Sequence, residues 1–192
     1  MIAALLVVAG LLVGSVPAGV LVARARGVDL RKIGSGNIGA TNVGRALGRT
    51  WAIVVLVADA AKGYGLVLVA KRLVPNPWIW AAVGLATVVG HTFSIFLRGR
   101  GGKGVATSLG AAIALAPLPA LAAFGVYVVL YALFRISSVG SLAGVTAFPI
   151  CVACLGPSEP AVIAFGATAA LLVIARHKDN IKRLARGEEL KA

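Results

Sequence analysis

Seven apolar runs divide this chain, and polar segments separate them. Of its 192 residues, 59% are hydrophobic, which is more than a soluble domain of this length uses. A run of about 20 apolar residues is long enough to cross a bilayer as a helix. The sequence therefore predicts an all-α integral membrane protein with seven transmembrane helices. The predicted spans are residues 1–23, 51–69, 78–97, 105–116, 120–134, 139–155 and 161–175.

Two of these runs need separate arguments. The first has no positive segment before it and is followed by Arg24 and Arg26, so we interpret it as a retained span and not as a signal peptide. The fourth, residues 105–116, is short and must extend into its glycine-rich flank or cross only part of the bilayer. Seven spans leave no length for a second unit, so we expect one membrane-embedded domain over residues 1–192.

The basic residues are distributed unevenly between the two sides of this topology. Of the 19 Lys and Arg residues, all but Lys62, Lys71 and Arg72 fall on the side that follows the first span. Cytoplasmic loops are enriched in Lys and Arg, so we expect the N-terminus outside and the C-terminus in the cytoplasm. The net charge of +13 lies between apolar runs, which favours anionic lipid or anionic substrates as partners and not nucleic acid.

Three polar segments share the predicted cytoplasmic face, and the first is SGNIGATNVGR, residues 35–45. Glycines leave backbone N–H groups free to face an anion, and a guanidinium binds phosphate through paired hydrogen bonds. We predict a phosphate-binding loop, against the alternative of an ordinary turn-rich loop that anchors to headgroups. The candidate ligands are Ser35, Gly36, Asn37, Gly39, Thr41, Asn42 and Arg45.

The second polar segment is RGRGGKG, residues 98–104. It is not a nucleotide-binding P-loop, because Gly104 follows Lys103 where Ser or Thr is required, and Leu97 occupies the position of the first glycine. We predict a flexible turn that presents Lys103 and opens a helix at Val105, whose N-terminus favours an anion. The alternative is a basic loop on the membrane surface.

The third polar segment, residues 176–184, places His177 and Asn180 one helical turn apart after the last span. The histidine is a candidate acid or base, or it complements a helix C-terminus or binds headgroups. Ser138 and Ser141, at the start of the sixth run, are predicted either to cap a helix or to bind substrate.

Other polar residues inside the apolar runs are expected to be structural. Asp59 and Lys62 lie on one helical face and are predicted to form an intramembrane ion pair, with a place in the active-site cavity as the alternative. Cys151 and Cys154 are interpreted as two small apolar residues one turn apart. The sequence predicts no metal site and no cofactor.

Several motifs together resemble the bacterial acyl-phosphate:glycerol-3-phosphate acyltransferase family, the PlsY type. The resemblance covers nearly the whole chain, and the order and spacing of the motifs agree. They are GSVPAG (14–19), VDLRKIGSGNIGATNVGRALG (28–48), DAAKG (59–63), GHTFSIFLRGRGGKGVAT (90–107), the serines of SSVGS (137–141) and RHKDNIKRLARGEE (176–189).

The resemblance implies an enzyme of the bacterial inner membrane with its active site on the cytoplasmic side. Such enzymes transfer a fatty acyl group from acyl phosphate to the 1-hydroxyl of sn-glycerol 3-phosphate. The products are lysophosphatidic acid and inorganic phosphate, in the first membrane step of phospholipid biosynthesis. The implied partners are these two substrates and membrane lipid, with the chain acting as a monomer.

The resemblance also implies roles for individual residues. Glu189 matches an acidic residue that we expect to be structural, and Asp59 and Lys62 are grouped with it. The expected catalytic residues are Ser35, Arg45, Lys103, His177 and Asn180. The expected substrate and phosphate ligands are Gly36, Asn37, Gly39, Thr41, Asn42, Gly101, Gly102, Gly104, Ser138 and Ser141.

Three alternatives remain open in the sequence. The base that deprotonates the hydroxyl is either His177 or the substrate's own phosphate. The second is slightly favoured, with His177 orienting the hydroxyl, because the leaving phosphate is itself basic and adjacent. Ser35 could form an acyl-enzyme, although the sequence places no base beside it. An anion channel or transporter would use similar basic loops, but it should carry ionisable residues throughout the membrane depth.

Overall fold

The computed structural model describes residues 1–156 and 159–191. These residues form ten α-helices and no strand, so the predicted all-α class is confirmed for the part described. Pro157, in the gap between the last two predicted spans, lies outside the described residues. The α-helices are α1 (Ile2–Ser15), α2 (Ala18–Ala25), α3 (Ala40–Leu47), α4 (Arg49–Leu73), α5 (Pro77–Thr92), α6 (Val105–Leu115), α7 (Pro117–Phe134), α8 (Ser137–Leu155), α9 (Pro160–Arg176) and α10 (Lys178–Ala185). Two short 3-10 helices cover Leu30–Lys32 and Ile95–Leu97.

Each predicted apolar run corresponds to a helix, but not each helix is long enough to span a bilayer. Five segments have the required length and apolar composition within the described residues: α1 with α2, α4, α5 with the following 3-10 turn, α7, and α8. A sixth is the pair α9 and α10, which bends by 62° at His177. Helix α6 has 11 residues, or about 16 Å, and is too short. The protein is thus an integral membrane protein with five or six spans by length and composition.

Prolines mark four of the helix starts among the described residues. Pro77, Pro117 and Pro160 each occupy the first turn of a helix, where a missing N–H costs nothing. The helix at Pro117 therefore begins three residues before the predicted boundary at 120. Pro17 separates α1 from α2, because it cannot supply a backbone donor. The first span, expected to be continuous, is two helices in sequence.

Glycines set how closely the helices pack. A Cβ on Gly14 or Gly90 would overlap the backbone of the facing helix in the pair α1 and α5. The same holds for Gly63 and Gly110 between α4 and α6. Small residues at such contacts allow backbones to approach closely, which stabilises helix pairs in lipid through van der Waals packing. These contacts place the short α6 inside the bundle, where most of its residues are buried.

Candidate active site

Side-chain contacts bring the three polar segments together at one end of the bundle. The Arg31 guanidinium, in the loop before α3, donates to the Arg100 carbonyl of the second segment. The Lys103 ammonium donates to the amide oxygen of Asn180 in the third segment. Residues distant in the sequence thus form one cationic cluster, as expected if the segments build a single site.

Asn42 holds the first loop in shape. Its amide nitrogen donates to the carbonyls of Leu30 at 3.2 Å and Asn37 at 2.9 Å, and its amide oxygen accepts from the Ser35 N–H at 3.1 Å. The Asn37 side chain in turn accepts from the Gly39 N–H at 2.9 Å. Both amide hydrogens of the buried Asn42 are used inside the loop, so its side chain holds the shape of the loop. Its contact with phosphate stays a prediction.

The other polar residues of the first segment border the cavities. Ser35 borders two adjoining cavities, and Thr41 Oγ1 lies 3.0 Å from Ser137 Oγ. Gly36 has a φ of 65°, a conformation that favours glycine, and its carbonyl accepts from Arg31 at 3.2 Å. The loop therefore presents a hydroxyl and a bent backbone toward the cavities while Arg31 fixes it from outside.

Arg45 lies on α3, one turn after Asn42, and reaches the C-terminal tail. Its Nη2 donates to the carbonyls of Leu190 and Lys191, each at 3.2 Å. Its Nε is buried and has no partner within the described residues. A guanidinium carries five N–H donors, so further donors of Arg45 are free to meet an anion in the cavity that it lines.

The second loop is anchored by its own glycine amides. The N–H of Gly101 donates to the Thr92 carbonyl at 3.2 Å, and that of Gly102 donates to the His91 carbonyl at 3.0 Å. A Cβ on Gly102 would overlap the His91 ring. These two backbone N–H groups are therefore engaged with the end of α5. The part of Gly101 and Gly102 in a phosphate site stays a prediction. Gly104, with a φ of 87°, is the residue that starts α6.

Lys103 carries the charge of the second loop. Burial lowers the pKa of its ammonium to about 8, and repulsion by Arg183 and Arg45 offsets part of the attraction of Glu189. Its hydrogen bond to Asn180 holds the side chain between the second and third segments. At neutral pH Lys103 is a cation that is poorly compensated by its surroundings and gains from a bound anion.

His177 lies at the bend between α9 and α10 and is only 2% exposed. Its Nδ1–H donates to the Val173 carbonyl at 2.8 Å, an assignment that leaves Nε2 as the acceptor. Burial, and then the Lys103 charge, lower the pKa of His177 to about 4. The ring is thus neutral at physiological pH and offers a lone pair to the cavity that it lines.

Glu189 connects the third segment to α8. Its carboxylate accepts from Asn180 at 2.5 Å, Arg183 at 2.8 Å and Ser138 at 3.2 Å. Burial raises its pKa, but the hydrogen bonds from Arg183 and Asn180 hold that pKa below its ordinary value. Glu189 therefore fixes the Asn180 amide, whose oxygen accepts from Lys103.

The two serines of α8 do not cap that helix. The residue before the helix is Ile136, and no side chain caps it. Ser138 donates to Glu189, and Ser141 Oγ donates to the Ser137 carbonyl at 2.8 Å. Both line the larger cavity, so they lie where a bound molecule could contact them, and the predicted substrate contact stays a prediction.

A buried polar cluster lies beneath the second loop. Asp59 and Lys62 on α4 form the predicted ion pair at 2.9 Å. His91 on α5 joins them, with Nδ1 2.8 Å from the Lys62 nitrogen and 3.5 Å from Asp59. Lys62 also donates to the Val16 carbonyl at 3.1 Å. Because Asp59 and His91 also border the larger cavity, the structural prediction and its alternative both describe part of the geometry.

Two cavities adjoin at the cationic cluster formed by the three polar segments. The larger, about 230 Å³, has a polar mouth that includes Arg45, Lys103 and His177, and an apolar interior between α6, α7, α8 and α9. The smaller, about 220 Å³, is lined by polar and charged groups. Ser35, Asn37, Lys103 and Asn180 line both cavities. A two-part molecule, or two molecules with anionic heads side by side, would fit this arrangement.

Sequence reasoning did not single out three arginines at the smaller cavity. Arg31, Arg176 and Arg183 line it, but from the sequence they were included only within the motifs and in the count of basic residues. Arg183 lies three residues after Asn180 on α10, so helical spacing indicates a shared face. No comparable signal marks Arg31, since its role depends on how the loop folds back onto the second segment.

Fold and site define a helical integral membrane protein with a cationic, glycine-lined site at one end of its bundle. The sequence model of the family described as Glycerol-3-phosphate acyltransferase matches residues 4–187. A glycerol-3-phosphate acyltransferase of Anaeromyxobacter sp. (strain K) is 50% identical over 200 residues, covering 100% of this chain and 98% of the relative. One from Thermus thermophilus is 50% identical over 179 residues, covering 93% of this chain and 89% of the relative.

Solved structures agree with these relatives. The crystal structure of PlsY (YgiH), an integral membrane glycerol 3-phosphate acyltransferase, in its glycerol 3-phosphate form matches with a TM-score of 0.96 at 36% identity, covering 100% of this chain and 96% of that one. Its lysophosphatidic acid form matches with a TM-score of 0.93 at 35% identity, covering 100% and 95%. The chain therefore belongs to the glycerol-3-phosphate acyltransferase family, and the resemblance to the PlsY type is confirmed.

Proposed function

We propose that this acyltransferase moves a fatty acyl group from acyl phosphate to the 1-hydroxyl of sn-glycerol 3-phosphate. The products are 1-acyl-glycerol 3-phosphate and inorganic phosphate. The observation that carries the proposal is the pair of adjoining cavities, one polar and one largely apolar, that share Lys103. Both proposed substrates carry a phosphate, but only one carries a fatty chain. One polar and one largely apolar cavity match this difference.

We assign each substrate to one of the two cavities. The smaller, lined by Arg31, Arg176 and Arg183, takes glycerol 3-phosphate, whose polar body needs no apolar wall. The larger takes acyl phosphate, with its chain between the helices and its phosphate at the mouth near Arg45. Guanidinium groups suit phosphate because they donate paired hydrogen bonds. The glycerol 3-phosphate and lysophosphatidic acid forms of PlsY support glycerol 3-phosphate as the acceptor and its acylated form as the product.

The reaction is a direct transfer. The glycerol 1-oxygen attacks the acyl carbonyl carbon, and the bond from that carbon to the phosphate oxygen breaks. Lys103 and Arg45 stabilise the negative charge that gathers on the departing phosphate, acting as preorganised cations in a site largely shielded from water. The hydroxyl proton leaves with the phosphate, so no charge remains on the protein at the end of the step.

The proton passes to phosphate and not to His177 in this proposal. Burial and the Lys103 charge lower the pKa of His177, so its ring is a weak base, whereas the departing phosphate is itself basic and lies next to the hydroxyl. Nε2 of His177 accepts a hydrogen bond from the hydroxyl and orients it. His177→Gln retains an acceptor and is expected to keep measurable turnover, while His177→Ala does not. If both variants drop to background with substrate affinity intact, His177 is the base.

A covalent intermediate on Ser35 is the alternative within the same reaction. A serine nucleophile needs an adjacent base. Among the described residues, the hydrogen bond at Ser35 is the one that its backbone N–H donates to Asn42 Oδ1, and it does not involve the hydroxyl. Direct transfer predicts that mass spectrometry of the enzyme mixed with acyl phosphate alone finds no acyl group on Ser35. An adduct there that glycerol 3-phosphate discharges would replace direct transfer with a two-step path.

A seven-span topology accompanies this function. Most residues of helix α6 are buried among other helices, so the helix does not need the length of a span that faces lipid. We propose that it carries the chain across the membrane. The N-terminus then lies outside, and the polar segments lie on the cytoplasmic side of the bacterial inner membrane. The chain acts as a monomer and a single domain. Labelling of single cysteines introduced at Arg98 and at Lys71 tests the sides: both reacting from one side would contradict the topology.

The rival function is an anion channel or transporter. The charged groups in the membrane interior, Asp59 and Lys62, are paired with each other, and the other basic groups crowd one end. This favours chemistry at an interface over passage of an anion. The deciding experiment uses the purified protein in detergent with acyl phosphate and glycerol 3-phosphate. Phosphate release that requires glycerol 3-phosphate, with matching formation of 1-acyl-glycerol 3-phosphate, is expected; release that ignores it would reject the acyltransferase reaction proposed here.

A further inference from the structure

The larger cavity ends at a pair of aromatic rings deep in the bundle. Ser138 at the mouth and Phe148 at the far end both lie on α8, ten residues or about 15 Å apart along the helix. On α9, His177 at the mouth and Phe165 at the far end are twelve residues or about 18 Å apart. The cavity therefore has a defined depth as well as a defined mouth.

Small residues line the walls between mouth and end. They leave room for an unbranched chain that larger side chains would fill, since packed helix interiors hold few voids. The small wall residues are Ala112 on α6, Ala120 and Ala123 on α7, Gly140 and Gly144 on α8, and Gly166, Ala169 and Ala170 on α9.

The two rings at the end are held firmly. Phe148 and Phe165 meet edge to face, with centroids 6.2 Å apart and planes at 82°, and they are 5% and 2% exposed. A Cβ on Gly166 would come within 2.8 Å of the Phe148 ring, and one on Gly84 within 3.3 Å of the Phe165 ring. Each ring therefore packs closely against a glycine of a neighbouring helix, Phe148 against Gly166 on α9 and Phe165 against Gly84 on α5.

We propose that Phe148 and Phe165 form the end wall that sets the length of the acyl chain accepted by this enzyme. The inference rests on the proposed function, in which the chain of acyl phosphate occupies this cavity. Lipid tails are as apolar as the cavity wall, so a longer chain gains little from the transfer itself. It is rejected by the end wall, since extra methylenes in a packed interior displace side chains.

The test compares acyl phosphates of graded chain length, with kcat/KM as the readout. Phe148→Ala opens the end wall. We divide kcat/KM for a chain longer than the wild-type optimum by kcat/KM for the optimal chain, and this ratio is expected to rise about tenfold in the variant. Tenfold is the discrimination typical of a methylene in an apolar pocket. Ala169→Leu, one turn from Phe165 toward the mouth, fills the cavity and is expected to shift the optimum to shorter chains. Phe134→Ala, exposed and outside the cavity lining, is the matched control and keeps the wild-type profile.

The outcomes separate this proposal from the function on which it rests. A variant that is merely destabilised loses activity equally at every chain length, and an unchanged profile in both variants overturns the end wall. If the wild-type enzyme transfers no acyl group from any acyl phosphate, the proposed function fails and not the end wall alone. Phe148→Leu, a smaller truncation, keeps the test decisive if Phe148→Ala does not fold.

Discussion

Replacing Lys103 with arginine should remove an alkaline limb from the pH profile of this enzyme. The pKa of Lys103 is lowered from 10.5 to about 8, first by burial. Each pKa unit corresponds to about 1.4 kcal/mol, so the protein environment makes the charged ammonium about 3 kcal/mol less stable than in water. Lys103 is protonated below pH 8 and loses its charge as the pH rises through that value.

The profile follows from where the proton resides in free and bound enzyme. In free enzyme each pH unit above 8 reduces the protonated fraction about tenfold, so kcat/KM should fall with that slope until the activity of the neutral form is reached. A bound phosphate charge 4 Å away favours the ammonium by about 4 kcal/mol at an effective dielectric constant of 20. The limb in kcat, which reports the bound enzyme, should therefore lie at higher pH than the limb in kcat/KM.

The assay measures initial rates of 1-acyl-glycerol 3-phosphate formation between pH 6.5 and about 10, with blanks for spontaneous hydrolysis of acyl phosphate. Glycerol 3-phosphate does not titrate in the upper part of this range, because its second pKa is about 6. Arg stays protonated throughout this range, so the Lys103→Arg profile should have no alkaline limb. Its overall rate should be lower, because the planar guanidinium does not reproduce the ammonium contact. Lys182→Arg, an exposed change on α10, keeps the wild-type limb. A limb near pH 8 that persists in Lys103→Arg, or a flat wild-type profile, refutes the reasoning.

Three further substitutions test how the site and bundle are held. Glu189→Gln removes the charge that three donors share; such hydrogen bonds contribute about 1.5–3 kcal/mol each, so kcat/KM should fall at least tenfold, and an unchanged value would contradict a positioning role. Asp59→Asn leaves the buried Lys62 charge unpaired at a cost of about 3–5 kcal/mol; Tm in detergent should fall and recover when Lys62→Met is added. Gly63→Ala places a Cβ against the backbone of α6 and should lower Tm, whereas Gly65→Ala, which meets nothing within 4 Å, should not.

Composition and spacing predicted the helices well, because membrane spans depend on local sequence. A run of apolar residues must form a helix in lipid, since no water is present to satisfy its backbone groups. The same logic failed for α6, whose length did not indicate whether it is buried among other helices or exposed to lipid. Pro17 also lies within an apolar run, so the sequence predicted one continuous span where the structure has two helices, α1 and α2.

The site was predictable in its residue types but not in how each residue is used. Lys103 and His177 stand out because charged or titratable groups are costly near a bilayer. The use of the Asn42 amide depends on how the first loop curls, and its three hydrogen bonds join positions that the sequence alone does not pair. Likewise the sequence indicates an open amide at Gly102 until its carbonyl partner on His91 is known.

The low pKa values of Lys103 and His177 share an origin, and in the proposed reaction they would allow one cation to serve two phosphates. Burial and excess positive charge disfavour further protonation, so His177 stays neutral and Lys103 is held near its titration point. Binding of the first phosphate then restores full charge to Lys103, which prepares it for the second phosphate. The carboxylate of Glu189 limits this excess of charge without entering the reaction. A site with stronger compensation would bind its anions less tightly, and one with less would lose the Lys103 proton before substrate arrived.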